Sequence, residues 1–242
     1  MCGVWCAVEP VTPSRKPAVA VMAKVPGAAA VKSRLHPALG AALATRLYEC
    51  FLRDRLDALA AVDGIDRVIA FTPEEAAAAV AELAPQSFTL VAQRGSDLGA
   101  RLDNLLTDLL VAGHPAAIAI DSDSPTLPMT YVSRAVGVLT SGETDAVVGP
   151  CDDGGYYLIG SRRPCAELFT SMPWSTERVL RLTLERAHRS GLRMHVLPAW
   201  FDIDTEADLY RLQRETAGQH TGPLRTIALV RELSAAGVLA QH

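Results

Sequence analysis

The chain has 242 residues, 49% of them hydrophobic and 21% charged, with a formal net charge of −4. That is enough apolar material for one sizeable core of α/β size. The mild acidity and the 5% of aromatic residues argue against a nucleic-acid footprint or a base-stacking platform. The five cysteines, Cys2, Cys6, Cys50, Cys151 and Cys165, form no C-x-x-C and no Cys/His set of zinc spacing. A reduced, cytoplasmic protein is the expectation. The opening stretch MCGVWCAVEPVTPSRK has neither a basic leader nor a long apolar run, so it does not read as a signal peptide. No apolar stretch reaches transmembrane length, and membrane insertion is not expected.

In chain order, residues 1–16 read as a mobile arm, broken by Pro10 and Pro13. Residues 17–242 read as a single domain. Ala18–Met22 is an apolar first strand feeding the loop Ala23–Leu35. A long amphipathic helix runs from Pro37 to about Val62, with Leu39, Leu43, Leu47, Phe51 and Leu59 near one face. Arg67–Phe71 is a second strand. Thr72 is the expected cap of an Ala-rich helix with Pro73 at its first position. Phe88–Ala92 is a third strand, and a helix follows Gln93–Leu102 to about Val111. Ala116–Ile120 is a short uncharged run that reads as a buried central strand.

Helices are expected over about Pro128–Leu139, Glu177–Ser190, Glu206–Glu215 and Arg225–Ala236, and strands at Asp145–Val148, before Gly160 and at Met194–Leu197. Strand and helix alternate through the first two-thirds, which argues a mainly parallel sheet with right-handed crossovers. Neither G-x-G-x-x-G, a Walker-type phosphate loop nor G-x-S-x-G is present.

Asp121 and Asp123 follow the central strand directly, and Pro125 keeps the exit extended. Ligands of open α/β sheets bind beyond the carboxyl ends of the strands. Two carboxylates there suit Mg²⁺ or Mn²⁺ with a bound diphosphate; as an isolated pair they also suit an Asx-turn. The first loop holds Lys24, Lys32 and Arg34 near Gly27, with no acid among thirteen residues. It reads as a phosphate loop, or as a solvated basic loop. Asp97, bracketed by Gly95 and Gly99, is a helix cap, and the glycines also permit close approach of a ligand.

Asp152-Asp153-Gly154-Gly155 is a tight turn, with Tyr156 and Tyr157 alternating faces after it. Trp174 is able to cover a sugar or base face, while Ser175 or Thr176 is a good N-cap. Asp202 and Asp204 share one side of an extended segment. Thr205 and Asp208 make a capping pair.

Taken in order, Lys24-x-Pro26 with Lys32-Ser33-Arg34-Leu35, Gly95-x-Asp97-Leu98-Gly99-x-Arg101-Leu102, Asp123-Ser124-Pro125-x-Leu127-Pro128, Gly149-Pro150, Asp153-Gly154-Gly155-Tyr156-Tyr157-Leu158-Ile159-Gly160, Trp174-Ser175-Thr176 and Asp202-Ile203-Asp204-Thr205 resemble the bacterial family DUF2064. Its members are also labelled selenodomain-associated transferase 1 or arsenosugar-biosynthesis-type glycosyltransferases. The resemblance spans about Ala18 to Glu215. It implies a three-layer, Rossmann-like GT-A (nucleotide-diphospho-sugar transferase) fold with a mainly parallel mixed sheet.

The resemblance also implies a metal-dependent enzyme taking a nucleotide-sugar donor and a small acceptor. The alternatives are a nucleotidyltransferase using an NTP, similar to the more distant phospholactate guanylyltransferases, and a non-catalytic nucleotide- or sugar-binding protein. Asp123, Asp153 and Lys32 would be catalytic. Lys24, Pro26, Gly27, Lys32, Arg34, Gln93, Gly95, Asp97, Gly99 and Asp121 would bind the nucleotide. Asp153, Gly154, Gly155, Tyr156, Trp174 and Ser175 would face the sugar or acceptor, and Asp123, Asp202 and Asp204 would hold Mg²⁺ or Mn²⁺. The chain departs from the family pattern at Asp121, where Gly is usual, and at Ala29, with Gly27 displaced by two. The C-terminal helix is compatible with a homodimer.

Overall fold

A computed structural model describes residues 15–239; most of the expected arm, residues 1–14, lies outside the described residues. The strands are β1 (Ala18–Lys24), β2 (Asp66–Thr72), β3 (Phe88–Ala92), β4 (Ala117–Ile120), β5 (Ala146–Pro150), β6 (Tyr156–Ser161) and β7 (Met194–Val196). They form one sheet in the order β3-β2-β1-β4-β6-β5-β7. β1 pairs in parallel with both β2 and β4, Val21 lying opposite Ile69 and Ile120. β6 is antiparallel to both its neighbours.

The helices are α1 (His36–Ala60), α2 (Ala77–Leu83), α3 (Leu98–Val111), α4 (Met129–Thr140), α5 (Val179–Arg189), α6 (Glu206–Thr216) and α7 (Leu224–Ala235). Strand alternation sends Val19, Val21 and Ile118 to one face, against Leu52, Leu56 and Leu59 of α1 and Val132 and Leu139 of α4. Ala18, Ala20 and Ala119 face the opposite layer, where α3 brings Leu102, Leu105 and Leu106. This is the expected three-layer α/β architecture. Among the described residues no helix is long and apolar enough to cross a membrane.

α1 is covered on two sides. Leu47 and Phe51 pack away from the sheet, against Leu209 and Leu212 of α6 and Leu229, Val230 and Leu233 of α7. Asp54 of α1 accepts from the Arg225 and Thr226 amides at 3.2 and 2.8 Å, so a carboxylate from another helix satisfies the start of α7. The long first helix is also interrupted, with Gly40 at φ 74° and ψ 159°.

Two expected caps are corrected. Thr72 ends β2 rather than capping a helix, and α2 begins only at Ala77 after a single 3-10 turn, with no side-chain cap. Neither Ser175 nor Thr176 caps α5, which starts at Val179; the Thr176 hydroxyl donates to the Pro173 carbonyl instead. The Thr205–Asp208 capping box is present on α6.

β5 and β6 form the expected hairpin. The Tyr157 ring lies across Gly149, where an added Cβ would sit 2.3 Å from the ring carbon bearing the hydroxyl. That hydroxyl is tied to the Pro198 carbonyl at 2.9 Å, so the ring has little room to retreat. Gly149→Ala is therefore expected to cost about 1–3 kcal/mol by overpacking. Urea unfolding checks this, and a variant with the wild-type midpoint would refute it.

Candidate active site

The strand order reverses between β1 and β4, and side chains leaving the carboxyl ends of both meet at that switch point. A chain of hydrogen bonds fixes the two exits. The Lys24 amide donates to the Tyr48 hydroxyl at 3.0 Å, and Tyr48 meets the Ser122 hydroxyl at 2.9 Å. Ser122 in turn donates to the Met22 carbonyl at 3.0 Å, so Tyr48 is the donor between the two hydroxyls. Burial pushes the Tyr48 hydroxyl well above the usual phenol range and keeps it protonated. α1 thereby locks the first loop to the turn after β4.

Within the first loop the left-handed positions fall at Gly27 (φ 81°) and Lys32 (φ 50°). The displaced glycine thus supplies one such residue, and Ala29 need not. The turn at Lys32 sends its side chain inward, where only 3% of it is exposed. Its ammonium lies 2.7 Å from Asp123 Oδ1 and 2.8 Å from Asp204 Oδ1. Burial alone would favour the neutral amine, but the two carboxylates outweigh it and hold Lys32 above the ordinary lysine range. Burial likewise opposes the charge on Asp204, and Lys32 overcomes it, leaving that carboxyl below the usual range. Arg34, exposed at the rim, stands 3.6 Å from Asp204.

Asp204 arrives on the segment before α6. Phe201 and Ile203 are buried against α1 and α6, so the alternate residues Asp202 and Asp204 face away from that core. The Ile203 amide donates to the Asp123 carbonyl at 3.0 Å and pins this strap to the β4 turn. The hairpin tip is bound to the same strap: the Asp152 amide donates to the Trp200 carbonyl at 3.0 Å, and the Trp200 amide to the Pro150 carbonyl at 2.9 Å. Gly154, at φ 88°, lies so close to Glu177 that a Cβ would come within 2.3 Å of its carbonyl oxygen. Asp153 is exposed and accepts from the Gly155 amide at 2.8 Å.

The expected metal trio is divided by this packing. Asp123 and Asp204 are taken by Lys32. Asp202 sits instead with Asp153 and Cys151, one donor atom of each lying within 4.8 Å of the others. Burial, with Asp204, Asp153 and Asp121 nearby, pushes the Asp202 carboxyl up to about 7. Burial also raises Asp121 to about 6; Arg55 opposes this and Asp123 adds to it. Burial and the surrounding aspartates keep the Cys151 thiol protonated, far above the usual thiol range.

Beneath Asp121 lies Arg55 of α1, a guanidinium only 1% exposed, 3.8 Å from Asp121 Oδ1 and donating to the Ser124 carbonyl. Its Nε and Nη1 are buried without hydrogen-bond partners among the described residues. The donor set is thus rich in hard oxygen and short of positive charge, and it fits a divalent cation.

The remaining expected residues take other places. The Gln93 amide is spent on the Ala23 and Ala70 carbonyls, at 3.2 and 2.7 Å, tying the ends of β1 and β2 to the exit from β3. Asp97 caps α3 through the Ala100 amide at 2.9 Å. Gly99 is required by Trp174, whose indole would lie 2.9 Å from an added Cβ. Trp174 meets Tyr156 edge-on at 6.3 Å, and both belong to the α3/α5 side of the core. Tyr156 is thus on the sheet face opposite Tyr157. Lys24, Pro26 and Gly27 remain on the first loop, with Lys24 and Gly27 exposed, and Ser175 is exposed at φ 62°.

Sequence reasoning did not single out Arg55, Tyr48 or Cys151. The available signals were a charged residue amid the apolar run of α1 and a cysteine directly before two aspartates.

The family model described as "Uncharacterized protein conserved in bacteria (DUF2064)" matches residues 55–176. No curated protein matches the chain. Among solved structures, a protein from Desulfovibrio desulfuricans G20, provisionally described as a nucleotide-diphospho-sugar transferase, is 33% identical with a TM-score of 0.83, over 91% of this chain and 96% of that one. A cytidylyltransferase from Leptospira borgpetersenii serovar Hardjo-bovis (strain JB197) is 12% identical, with a TM-score of 0.56 over 94% and 98% of the two chains. A CMP:2-keto-3-deoxy-manno-octonic acid synthetase solved with CTP is 14% identical, with a TM-score of 0.53 over 84% and 98%. The last two share the fold.

Proposed function

The chain belongs to the DUF2064 family, and on that premise we propose that it is a metal-dependent transferase that moves a sugar from a nucleotide-diphosphate donor to a small acceptor. The observation that carries this reading is the convergence of five aspartates beyond the sheet: Asp123 and Asp204 on the buried Lys32 ammonium, and Asp202 beside Asp121 and Asp153. A divalent cation held by Asp202 and its neighbours would neutralise the diphosphate and stabilise it as a leaving group.

The chain's own residues do the positioning. Lys24 and Arg34 stand exposed on the first loop and meet phosphate oxygens. Lys32 keeps Asp123 and Asp204 at a fixed separation and supplies a fixed positive charge beside them. Gly95, exposed at φ 139°, leaves the backbone before α3 open to the nucleotide. Asp153 accepts from the Gly155 amide through Oδ1, which leaves its other oxygen for the cation or for a sugar or acceptor hydroxyl. Most of the rate then comes from orientation and charge stabilisation.

Nucleotidyl transfer is the second reading, favoured by the two exposed cations of the first loop, which suit a leaving pyrophosphate. Thermal unfolding with Mn²⁺ or Mg²⁺ and a panel of UDP- and GDP-sugars, UTP, CTP and GTP separates the two. A ligand at a hundred times its dissociation constant adds about 2.7 kcal/mol. Metal-dependent stabilisation by a nucleotide sugar, lost in Asp123→Ala, is the expected result. Stabilisation by one NTP alone would select the second reading, and no response to any nucleotide would overturn both.

A further inference from the structure

We propose that Cys151 is a ligand of this cation, and that its thiolate, with Asp153 and Asp202, makes the site take a thiophilic divalent ion such as Zn²⁺ or Co²⁺ in preference to Mg²⁺. The inference rests on the metal-dependent reading above. It begins with geometry. Among the described residues, Cys151, Asp153 and Asp202 are the one group of three candidate ligands whose donor atoms all lie within 4.8 Å of one another. Donors bonded to one ion at about 2.0–2.3 Å stand roughly 3–4 Å apart, so closing the set needs only a small movement.

Cys151 is 8% exposed, and among the described residues its thiol has no hydrogen-bond partner, although it lies among carboxylates. Cys165, by contrast, donates to the Arg163 carbonyl at 3.1 Å. A polar group buried without a partner is costly, and a bond to an ion would supply the missing interaction.

The backbone holds the donors in place. The Cys151 amide donates to the Gly155 carbonyl at 3.0 Å, and its carbonyl accepts from the Gly154 amide at 3.2 Å. The flanking residues Pro150 and Asp152 are both bonded to Trp200, two residues before Asp202. Lys32 already serves Asp123 and Asp204 and leaves Asp202 to the ion.

Two carboxylates and one thiolate leave coordination positions open for diphosphate oxygens. Sulfur is a soft ligand that Mg²⁺ takes poorly and Zn²⁺ and Co²⁺ take well. Binding transfers the thiol proton to solvent as the sulfur–metal bond forms.

The test is spectroscopic and needs no substrate. Chelator-treated protein is titrated with Co²⁺. A near-ultraviolet thiolate-to-cobalt charge-transfer band is expected, bleached by equimolar Zn²⁺ and unaffected by excess Mg²⁺. In Cys151→Ser the band is lost, and Zn²⁺ affinity falls about 10–100-fold, the size seen when a metal site loses support. Mg²⁺ affinity stays as in the wild type. Matching circular dichroism of the two metal-free proteins confirms that the variant folds.

Co²⁺ binding without a sulfur band, a band that persists in Cys151→Ser, or displacement by equimolar Mg²⁺ would overturn the proposal. If nucleotide stabilisation still required a divalent cation, the transferase reading would survive that result. If no divalent cation bound at all, both would fail.

Discussion

Lys32→Met is expected to destabilise the protein by about 1–3 kcal/mol at neutral pH and to lower transfer by about 10²-fold or more. The substitution keeps much of the side chain's length and apolar stem while deleting the ammonium that lies 2.7 and 2.8 Å from Asp123 and Asp204. Those two carboxylates would then face each other across the pinned strap with no cation between them. Removing the buried member leaves two carboxylates uncompensated, at a cost that solvent screens in part because each is just over a third exposed.

The pH dependence identifies the cause. In the wild type the Lys32 contribution is fully present below 10.5, the ordinary lysine value, because the folded protein holds it higher, and it is lost only in strong alkali. In the variant, Asp204 loses the cation that overcame its burial, and its carboxyl rises. Its contribution is then present below the usual carboxylate range of about 4 and declines as pH rises above it. Urea unfolding at about pH 5 and about pH 8 should show a deficit that shrinks in acid. A variant as stable as the wild type at both would refute the role assigned to Lys32.

Arg55→Met carries the second large effect, about 3–5 kcal/mol at neutral pH, because this pair is the more deeply buried. Arg55 is the only cation lying beneath Asp121 among the described ion pairs, and its loss also frees the Ser124 carbonyl. Asp121 already titrates at about 6 and Asp202 at about 7, both above the unfolded value of 3.8. A raised carboxyl is most favourable below its unfolded pKa, so the metal-free wild type should lose stability as pH climbs from about 4 to about 7. Each pKa unit is worth about 1.4 kcal/mol, and this slope should steepen in Arg55→Met.

Arg55→Met/Asp121→Asn should recover most of the loss, since no buried charge is then left alone. Chemical denaturation of the two variants, in chelator, checks this. A double variant no better than the single one would mean that Arg55 acts through packing alone.

The strands were readable because this sheet buries both faces at its centre. Ala18–Met22 and Ala116–Ile120 are short uncharged runs, and the structure places them side by side as β1 and β4. The position of Asp121 and Asp123 at the carboxyl end of a central strand was readable from the uncharged run before them and the turn at Pro125. The capping box at Thr205 was also visible, since its signal lies within three residues.

What stayed hidden depends on distant partners. Lys32 and Asp204 are 172 positions apart, and no local pattern says that this lysine meets carboxylates rather than solvent. Arg55 is inward because α1 is covered on both sides, which turns a polar position into a core one. The caps expected at Thr72 and Ser175 failed for a related reason. Thr72 remains in the ladder beside Lys24, and Thr176 turns back to Pro173.

The pinning of the strap to the β4 turn bears on how the protein is made. Synthesis runs from the amino end, and domains fold as their parts emerge. When the ribosome has delivered β6, the chain has Lys32, Asp121, Asp123 and Asp153, but neither Asp202 nor Asp204. A nascent chain at that point holds one of the two acids that finally grip Lys32, and two of the three members of the Cys151 cluster. The ion set around Lys32 therefore closes only after residue 204 has been added, so the first loop and the β4 turn reach their final tie late in synthesis.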